Sequence, residues 1–361
     1  MSEGYDLEKD KLREIGIEFD PLKRSGTFLQ RDQEVSTVAT FYGGVEVMSI
    51  RDAMKKYDWV QDYFWKLVNR EQDEFTKEAD AEDVNGYFIR APPNVKVEIP
   101  VEACLYLHRV KKQKVHNIII AEENSELNII TGCTSHPAAI GLHIGISEFF
   151  VKKNAKLTFT MIHSWHNKIE VRPRSGALIE ENGTFISNYI LMNPVKIVQM
   201  YPTAYVNRNA RVIFSNVIVA LDGSTVDSGS RAFLREEGAI AEIISRTISK
   251  GGKVITRGQI IGESGGVKGH LECKGLILSE NGEIIAIPEL IAKRPNLELS
   301  HEAAIGKIAE EEIFYLMSRG MSRDEAVSAI VRGFMEVEVK GLPEILKIAI
   351  DKAIEEMRDA L

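Results

Sequence analysis

From Val95 onward, short runs of alternating apolar and polar residues follow one another, each broken by Asn, Gly or a pair of charged residues. Alternation places successive side chains on opposite faces of an extended chain, so the pattern predicts many short β-strands. The turns between the runs resemble one another. Glu122-Glu123-Asn124-Ser125-Glu126-Leu127 is echoed by Lys152-Lys153-Asn154-Ala155-Lys156-Leu157 and by Glu180-Glu181-Asn182-Gly183-Thr184-Phe185. Asn207-Arg208-Asn209-Ala210-Arg211-Val212 and Glu236-Glu237-Gly238-Ala239-Ile240 continue the series. Similar turns follow at Ser249-Lys250-Gly251-Gly252-Lys253-Val254 and Ser279-Glu280-Asn281-Gly282-Glu283-Ile284. From Asn124 to Glu237 the turns recur about 27 to 30 residues apart, a period that points to a stacked, solenoid-like architecture. Asn and Gly are the residues that best accept positive φ at a tight turn. A two-sheet sandwich also spaces its strands evenly. The repeat favours stacked β-coils, which bury a continuous core that no single coil could build.

Helical patterns flank this region. Residues 1–90 read as charged and helical, with apolar positions at Ala53, Met54, Tyr57, Val60, Tyr63, Phe64, Leu67 and Val68 suggesting an amphipathic helix over 52–68. Ala91-Pro92-Pro93 ends that pattern, because a residue before proline is pushed away from helix. Helix returns after about residue 300. Ser322-Arg323-Asp324-Glu325 forms a capping box, and Val327, Ile330, Val331 and Phe334 then share a face. Gly341-Leu342-Pro343 opens a last helix whose apolar stripe runs from Leu342 through Ile345, Leu346, Ala349, Ile350, Ala353 and Ile354 to Met357. Such a stripe packs on its own domain or meets a partner. The reading is three regions: 1–90 helical, 91–299 β-rich and 300–361 helical.

Composition narrows the function classes. A chain of 361 residues with 44% hydrophobic and 27% charged residues is ordinary for a folded soluble protein. Its net charge of −8 argues against a general nucleic-acid binder, and Val110-Lys111-Lys112-Gln113-Lys114 reads as a solvated loop. The acidic start lacks the features of a signal peptide, and no run approaches the roughly 20 apolar residues that span a bilayer. Three cysteines (Cys104, Cys133 and Cys273) are no disulfide framework, and a reducing cytoplasm fits best. Gly251-Gly252-Lys253-Val254 lacks the first glycine and the hydroxyl residue of a phosphate loop. No C-x-x-C, H-E-x-x-H or G-x-S-x-G motif occurs, and a four-ligand structural zinc site is not offered.

The densest chemistry lies between Cys273 and Phe334. Cys273 sits in a strand-like run, and Ser300-His301-Glu302-Ala303-Ala304 follows at the border with the helical tail. Thiolate, imidazole and carboxylate are all iron ligands. The motifs carry more than the spacing does. Cys273, His301-Glu302-Ala303, Ile305-Gly306-Lys307-Ile308, Phe314-Tyr315-Leu316, Ser318-Arg319-Gly320 and Arg332-Gly333-Phe334 stand in an order that resembles the SufB/SufD family, the scaffold subunits of the SUF iron–sulfur cluster assembly machinery. Asp227-Ser228-Gly229-Ser230, Arg257-Gly258, Glu122-Glu123-Asn124, Thr131-Gly132-Cys133-Thr134 and Trp165 extend the likeness over about residues 95 to 335. Glutamate after the histidine makes the chain more similar to SufB than to SufD.

The resemblance implies a mainly β fold, a right-handed parallel β-helix core flanked by helical regions. It implies a scaffold protein, not an enzyme, on which an iron–sulfur cluster is held transiently by Cys273 with His301 or Glu302. One chain supplies too few ligands for a four-iron, four-sulfur cluster, so a homodimer with the cluster between protomers is expected, or a pair with a SufD-like paralogue. Cys133 matches a position implied to receive sulfur, and His163 and Trp165 match an internal transfer path, although His163-Ser164-Trp165 departs from the family's Gln-Asn-Trp. The helices around Ile305, Ile308, Phe314, Arg332 and Phe334 match the region implied to bind the SufC ABC-type ATPase, and apo iron–sulfur proteins are the implied recipients. Two other classes stay open: a cluster-free regulator of an ABC ATPase, and a β-helix carbohydrate-active enzyme.

Overall fold

The computed structural model describes residues 12–335, apart from 14, 42–43 and 81–84. The last helix expected from Gly341 lies outside the described residues. Within them the chain winds into a β-solenoid of about 8 turns. One parallel sheet stacks Val101–Leu107, Glu126–Ser135, Lys156–Ser164, Thr184–Leu191, Arg211–Leu221, Ile240–Lys250, Lys268–Ile277 and Glu298–Gly306, in that order. The facing sheet stacks Tyr87–Ala91, Lys112–Ala121, Gly141–Val151, Ile169–Ile179, Thr225–Leu234, Lys253–Gly262 and Glu283–Ala292. Ile197–Met200 and Thr203–Val206 together fill one strand's place between Ile169–Ile179 and Thr225–Leu234. Coil-to-coil pairing is parallel, which excludes the antiparallel sandwich.

Register explains the core. Leu127, Leu157, Phe185, Val212 and Ala241 face one another in successive coils, all buried, as one column of the interior. The first sheet is buried on its outer face as well, where Ile130, Ile162, Ile190, Val217 and Ile248 pack with Ile15, Ile17 and Val331. Burial on both faces is why Val217-Ile218-Val219-Ala220-Leu221 is continuously apolar.

The repeated turn is a column of left-handed residues. Asn94, Asn124, Asn154, Asn182 and Asn209 have φ of 52° to 64°, and Gly238, Gly266 and Asn296 continue the column. The asparagines also bond one another. The Asn154 amide donates to Asn124 at 3.0 Å and the Asn182 amide donates to Asn154 at 3.0 Å. Gly251 belongs to a different corner, where its backbone bridges to Leu221, so the turns read as one series form two.

Three local expectations change. The helix expected over 52–68 is only Ile50–Lys56, capped by the Ser49 hydroxyl, followed by a 3-10 turn at Asp58–Tyr63. The buried carboxylate of Glu148 accepts the backbone N–H groups of Trp65, Leu67 and Val68, which a continuing helix would have used internally. The first 90 residues also contain strands Gly26–Arg31, Glu34–Thr40 and Glu46–Ser49, where runs such as Val35-Ser36-Thr37-Val38 favour extended chain. Finally, Glu298–Gly306 is a strand where helix was expected, and helices begin only at Glu310–Ser318 and Arg323–Met335. The latter opens on the expected capping box, with Ser322 N–H donating to the Glu325 carboxylate at 2.8 Å.

The asparagine column makes a stability prediction. Asn154→Ala should cost about 2 kcal/mol, from left-handed backbone strain plus the lost amide bonds, and Asn154→Gly about 1 kcal/mol, from the bonds alone. Urea unfolding midpoints check this, and equal losses for the two variants would remove the backbone explanation.

Candidate functional site

Cys273 lies on Lys268–Ile277, the last strand but one of the first sheet. Alternation turns Gly269, Leu271 and Cys273 into the core and sends His270, Glu272 and Lys274 outward. Gly258 makes this possible on the facing strand, since a Cβ there would fall 2.2 Å from Leu271 Cδ1. Asp227 anchors the same coil through a two-pronged ion pair with Arg257 at 2.6 and 3.1 Å. The family motifs Asp227-Ser228-Gly229-Ser230 and Arg257-Gly258 thus build the coil that carries the thiol.

The pairing with Glu298–Gly306 separates two neighbours that sequence alone treats together. Leu271 faces His301, Glu272 faces Glu302 and Cys273 faces Ala303. His301 therefore shares Cys273's inward face, one step along the strand, while Glu302 joins the outer face. No further strand follows Glu298–Gly306 among the described residues, so this inner face is bare. Ile305 is 40% exposed and Leu290, on the inner face of the opposite terminal strand, is 37% exposed.

On the outer face, donor atoms of His270, Glu272 and Glu302 lie within 4.8 Å of one another. Ser300 Oγ, 2.8 Å from Nδ1, fixes the His270 ring. The two carboxylates already face two cations: Arg246 pairs with Glu272, and Lys274 reaches Glu272 at 3.4 Å and Glu302 at 3.1 Å. Burial pushes the Glu272 carboxyl up, but Arg246 and Lys274 outweigh it and hold the group below its ordinary range. A metal here would have to displace Lys274, so this cluster is balanced as an ion-pair network.

Inside the solenoid a polar column runs from Cys273. Stepping back through the register gives Ser245, then Asn216, then Tyr189. The Tyr189 hydroxyl lies 3.1 Å from His163 Nδ1, and His163 faces Cys133 across adjacent coils. Trp165 packs edge-on against His163 at 5.4 Å. The structure thus brings Cys133, His163 and Trp165 together. Cys133 and Cys273 stand five strands apart in the sheet, about 24 Å at usual strand spacing.

Several polar atoms near this column have no hydrogen-bond partner: Asn216 Nδ2, Ser228 Oγ, Ser230 Oγ and Trp165 Nε1. Thr256 donates to Ser245 at 3.0 Å. Unpartnered polar groups in a hydrocarbon core are costly, and they mark a place that water or a polar ligand occupies. A separate cavity of about 30 Å³, beside Met161 and Tyr189, is lined by none of Asn216, Ser228, Ser230 and Trp165. Asn216, Ser245 and Thr256 were not singled out from sequence, and Ser228 and Ser230 stood out only as members of the Asp227-Ser228-Gly229-Ser230 motif. The available signal was polarity at inward positions, as in Val212, Phe214, Asn216, Ile218.

Burial sets the thiol chemistry. It raises Cys273, with Thr256 hydrogen bonding and Arg246 partly opposing, raises Cys104 to about 12, and raises Cys133 well above its ordinary value. Burial and neighbouring His143 hold His163 well below its ordinary value, so its ring is neutral. Cys104 faces the other side of the sheet, against Ile15 and Ile17.

Of the tail residues, Phe314 is 59% exposed, with Tyr315, Met317 and Met321 also exposed nearby. Ile308 and Phe334 pack partly against the cluster around Val331, and Arg332 is exposed.

The family described as SUF system FeS cluster assembly, SufBD core domain, matches residues 107–334. The chain is 71% identical over 349 residues to an iron-sulfur cluster assembly SufBD family protein of Archaeoglobus fulgidus, covering 97% of this chain and 95% of that protein. A Methanothermobacter thermautotrophicus protein of the same description is 45% identical over 93% of this chain and 84% of its own length. One from Pyrococcus horikoshii is 34% identical over 86% of this chain and 71% of its own.

Thiol accessibility gives a direct check. Iodoacetamide applied to the native protein at about pH 8 should modify Cys273 before Cys133 and Cys104, and faster as the pH rises, because a raised thiol must first lose its proton. Peptide mass spectrometry reads the order; modification of Cys133 first would place the accessible thiol at the wrong end of the column.

Proposed function

The chain belongs to the SufBD family of iron–sulfur cluster assembly proteins, and from that premise we propose that it is a scaffold that holds a nascent cluster at the bare end of its solenoid. The observation that carries this is Cys273, inward-facing on the penultimate strand, with His301 on the same face at the uncovered edge. A thiolate and an imidazole per chain are soft and intermediate iron ligands, suited to a cluster that must later leave. His301 is favoured over Glu302 because strand alternation sets Glu302 on the outer face, where Lys274 holds it. The cluster is cargo, not a resident cofactor, and the role is that of a scaffold without catalysis of its own.

Dimerisation follows from the same edge. Among the described residues, Glu298–Gly306 and Glu283–Ala292 terminate the two sheets and leave a strand edge open beside exposed Ile305 and Leu290. A second copy meeting this edge would bring two thiolates and two imidazoles toward one place, enough for a four-iron, four-sulfur cluster. A closed two-fold pair is also the commonest oligomer; a SufD-like paralogue on the same edge is the other arrangement. The polar column from Cys133 through His163, Tyr189, Asn216 and Ser245 supports an internal route for sulfur to Cys273.

The exposed face of Glu310–Ser318, with Phe314 and Tyr315, is the surface we assign to a SufC-like ABC ATPase. ATP-driven approach of two ATPase subunits, one on each tail, would then pull on the scaffold edge, provided that ATP binds the closed ATPase state better than the open one. No helix among the described residues is long and apolar enough to cross a membrane, and we place the protein in the cytoplasm, delivering to apo iron–sulfur proteins.

Anaerobic reconstitution tests the central claim. The wild type should hold about four iron and four acid-labile sulfide per dimer, and Cys273→Ser should lose most of both; equal, low values would leave the cluster-free ATPase regulator in front. For the partner face, Phe314→Ala should reduce co-purification with the ATPase by about tenfold, while Ala at the packed Phe334 should act mainly on stability. Unchanged co-purification for Phe314→Ala would remove this helix from the contact.

A further inference from the structure

The outer face of the second sheet carries a pocket that cluster chemistry does not use. Its volume is about 660 Å³, within the range of small-molecule sites. Lys66, Arg70, Arg174 and Arg231 line it, and no carboxylate does among the described residues. In a chain of net charge −8 this is a local reversal of sign. Arg174 is buried and paired, with Nε on Asp73 at 2.7 Å and NH1 on the Gln199 carbonyl at 2.9 Å, and Arg70 pairs with Asp80 at 3.5 Å. Lys66 and Arg231 are therefore the lining cations without a carboxylate partner among the described residues. Lys66 is exposed and makes no ion pair with the described residues.

Four aromatic residues, Trp65, Tyr201, Tyr205 and Phe233, share the lining with aliphatic and neutral polar side chains. Tyr205 and Phe233 face each other in register and stack, with centroids 5.4 Å apart and planes 18° apart. Arg231 lies 4.8 Å above the Tyr201 ring, and Arg235 lies 4.1 Å above Tyr205. One wall is pre-shaped. Glu148, with no exposed surface, clamps the N–H groups of Trp65, Leu67 and Val68 and meets His116 Nε2 at 2.8 Å. The clamp leaves Trp65 at φ 55°, a conformation rarely adopted by a bulky residue and one that marks binding sites. A second lobe of about 340 Å³ shares Gln72, Arg174, Tyr201 and Arg231 and adds Arg257 with the carboxylates Asp73, Asp227 and Glu289. These carboxylates already accept from Arg174, Arg257 and Gln259 and keep lone pairs for a further donor.

We propose that this pocket binds a nucleotide, its planar base against the aromatic residues, its phosphate toward Lys66 and Arg231, and its ribose hydroxyls toward the carboxylates of the second lobe. Each part answers a different feature: rings recognise a flat base, guanidinium and ammonium groups recognise phosphate, and carboxylates accept from hydroxyls. A bare phosphate would leave the aromatic wall unused, and a metal ion would find no anionic ligand in the larger lobe.

Equilibrium dialysis of the full-length protein with AMP, adenosine and inorganic phosphate tests the assignment. AMP should saturate one site per chain, with adenosine and phosphate each bound at least about tenfold more weakly. Lys66→Ala, a surface change that leaves the fold intact, and Arg231→Gln should each weaken AMP by about tenfold, without altering iron content after reconstitution. Phosphate binding as tightly as AMP, AMP binding indifferent to both substitutions, or no AMP binding at about 5 mM would each overturn the proposal.

Discussion

In-register parallel stacking is the constraint from which the rest of this molecule follows. Once each coil pairs residue for residue with the next, a side chain's face is fixed by its count from the turn, and errors cannot be absorbed by slippage. The left-handed column from Asn94 to Asn296 sets that count at one point per coil. Everything functional inherits it. Cys273 points inward because its coil is counted from Gly266, and Ser245, Asn216 and Tyr189 fall behind it for the same reason. From Cys273 back to Tyr189 the polar column is one register position repeated, and it then shifts by one inward position to His163 and Cys133, because Met161 is what faces Tyr189 in register.

The same count explains what could be read from sequence. The Asn turns are legible because positive φ leaves a compositional trace, and Cys273 stands out through its motif. The separation of His301 from Glu302 was not legible while that stretch was read as helical, since a helix would keep the two as near neighbours on one surface. Their opposite faces appear only when Glu298–Gly306 is known to be a strand. The helix ending at Lys56 was hidden for another reason. The group that holds the chain out of helix at Trp65, Leu67 and Val68 is Glu148, some eighty residues away in sequence, and no local pattern announces it. The polar core positions were visible in principle, as breaks in alternation, but a single Asn or Ser in a strand carries little weight until its column is assembled.

The two ends of the solenoid are treated differently. At the first, Gly26–Arg31 pairs with Val101–Leu107 and then turns back antiparallel through Glu34–Thr40, a hairpin that ends the sheet with an antiparallel strand. At the other, Glu298–Gly306 ends its sheet among the described residues with apolar, imidazole and carboxylate side chains exposed. Natural sheets blunt the edges they do not use. An end left open beside a thiol and an imidazole is consistent with an edge reserved for assembly, and it sets the candidate cluster residues apart from the nucleotide pocket, which lies on the flank.

The bare end also has a thermodynamic meaning. In a stacked array each coil is held by its neighbours, so an interior coil has two supporting interfaces and a terminal coil has one. Glu283–Ala292 and Glu298–Gly306 therefore belong to the unit with the lowest free energy of opening, while the coils around Leu157 and Phe185 open only with the whole molecule. Cys273 lies directly behind that terminal unit. Its access to solvent is governed by fraying of one coil, so the thiol can be uncovered many times over without the protein unfolding once.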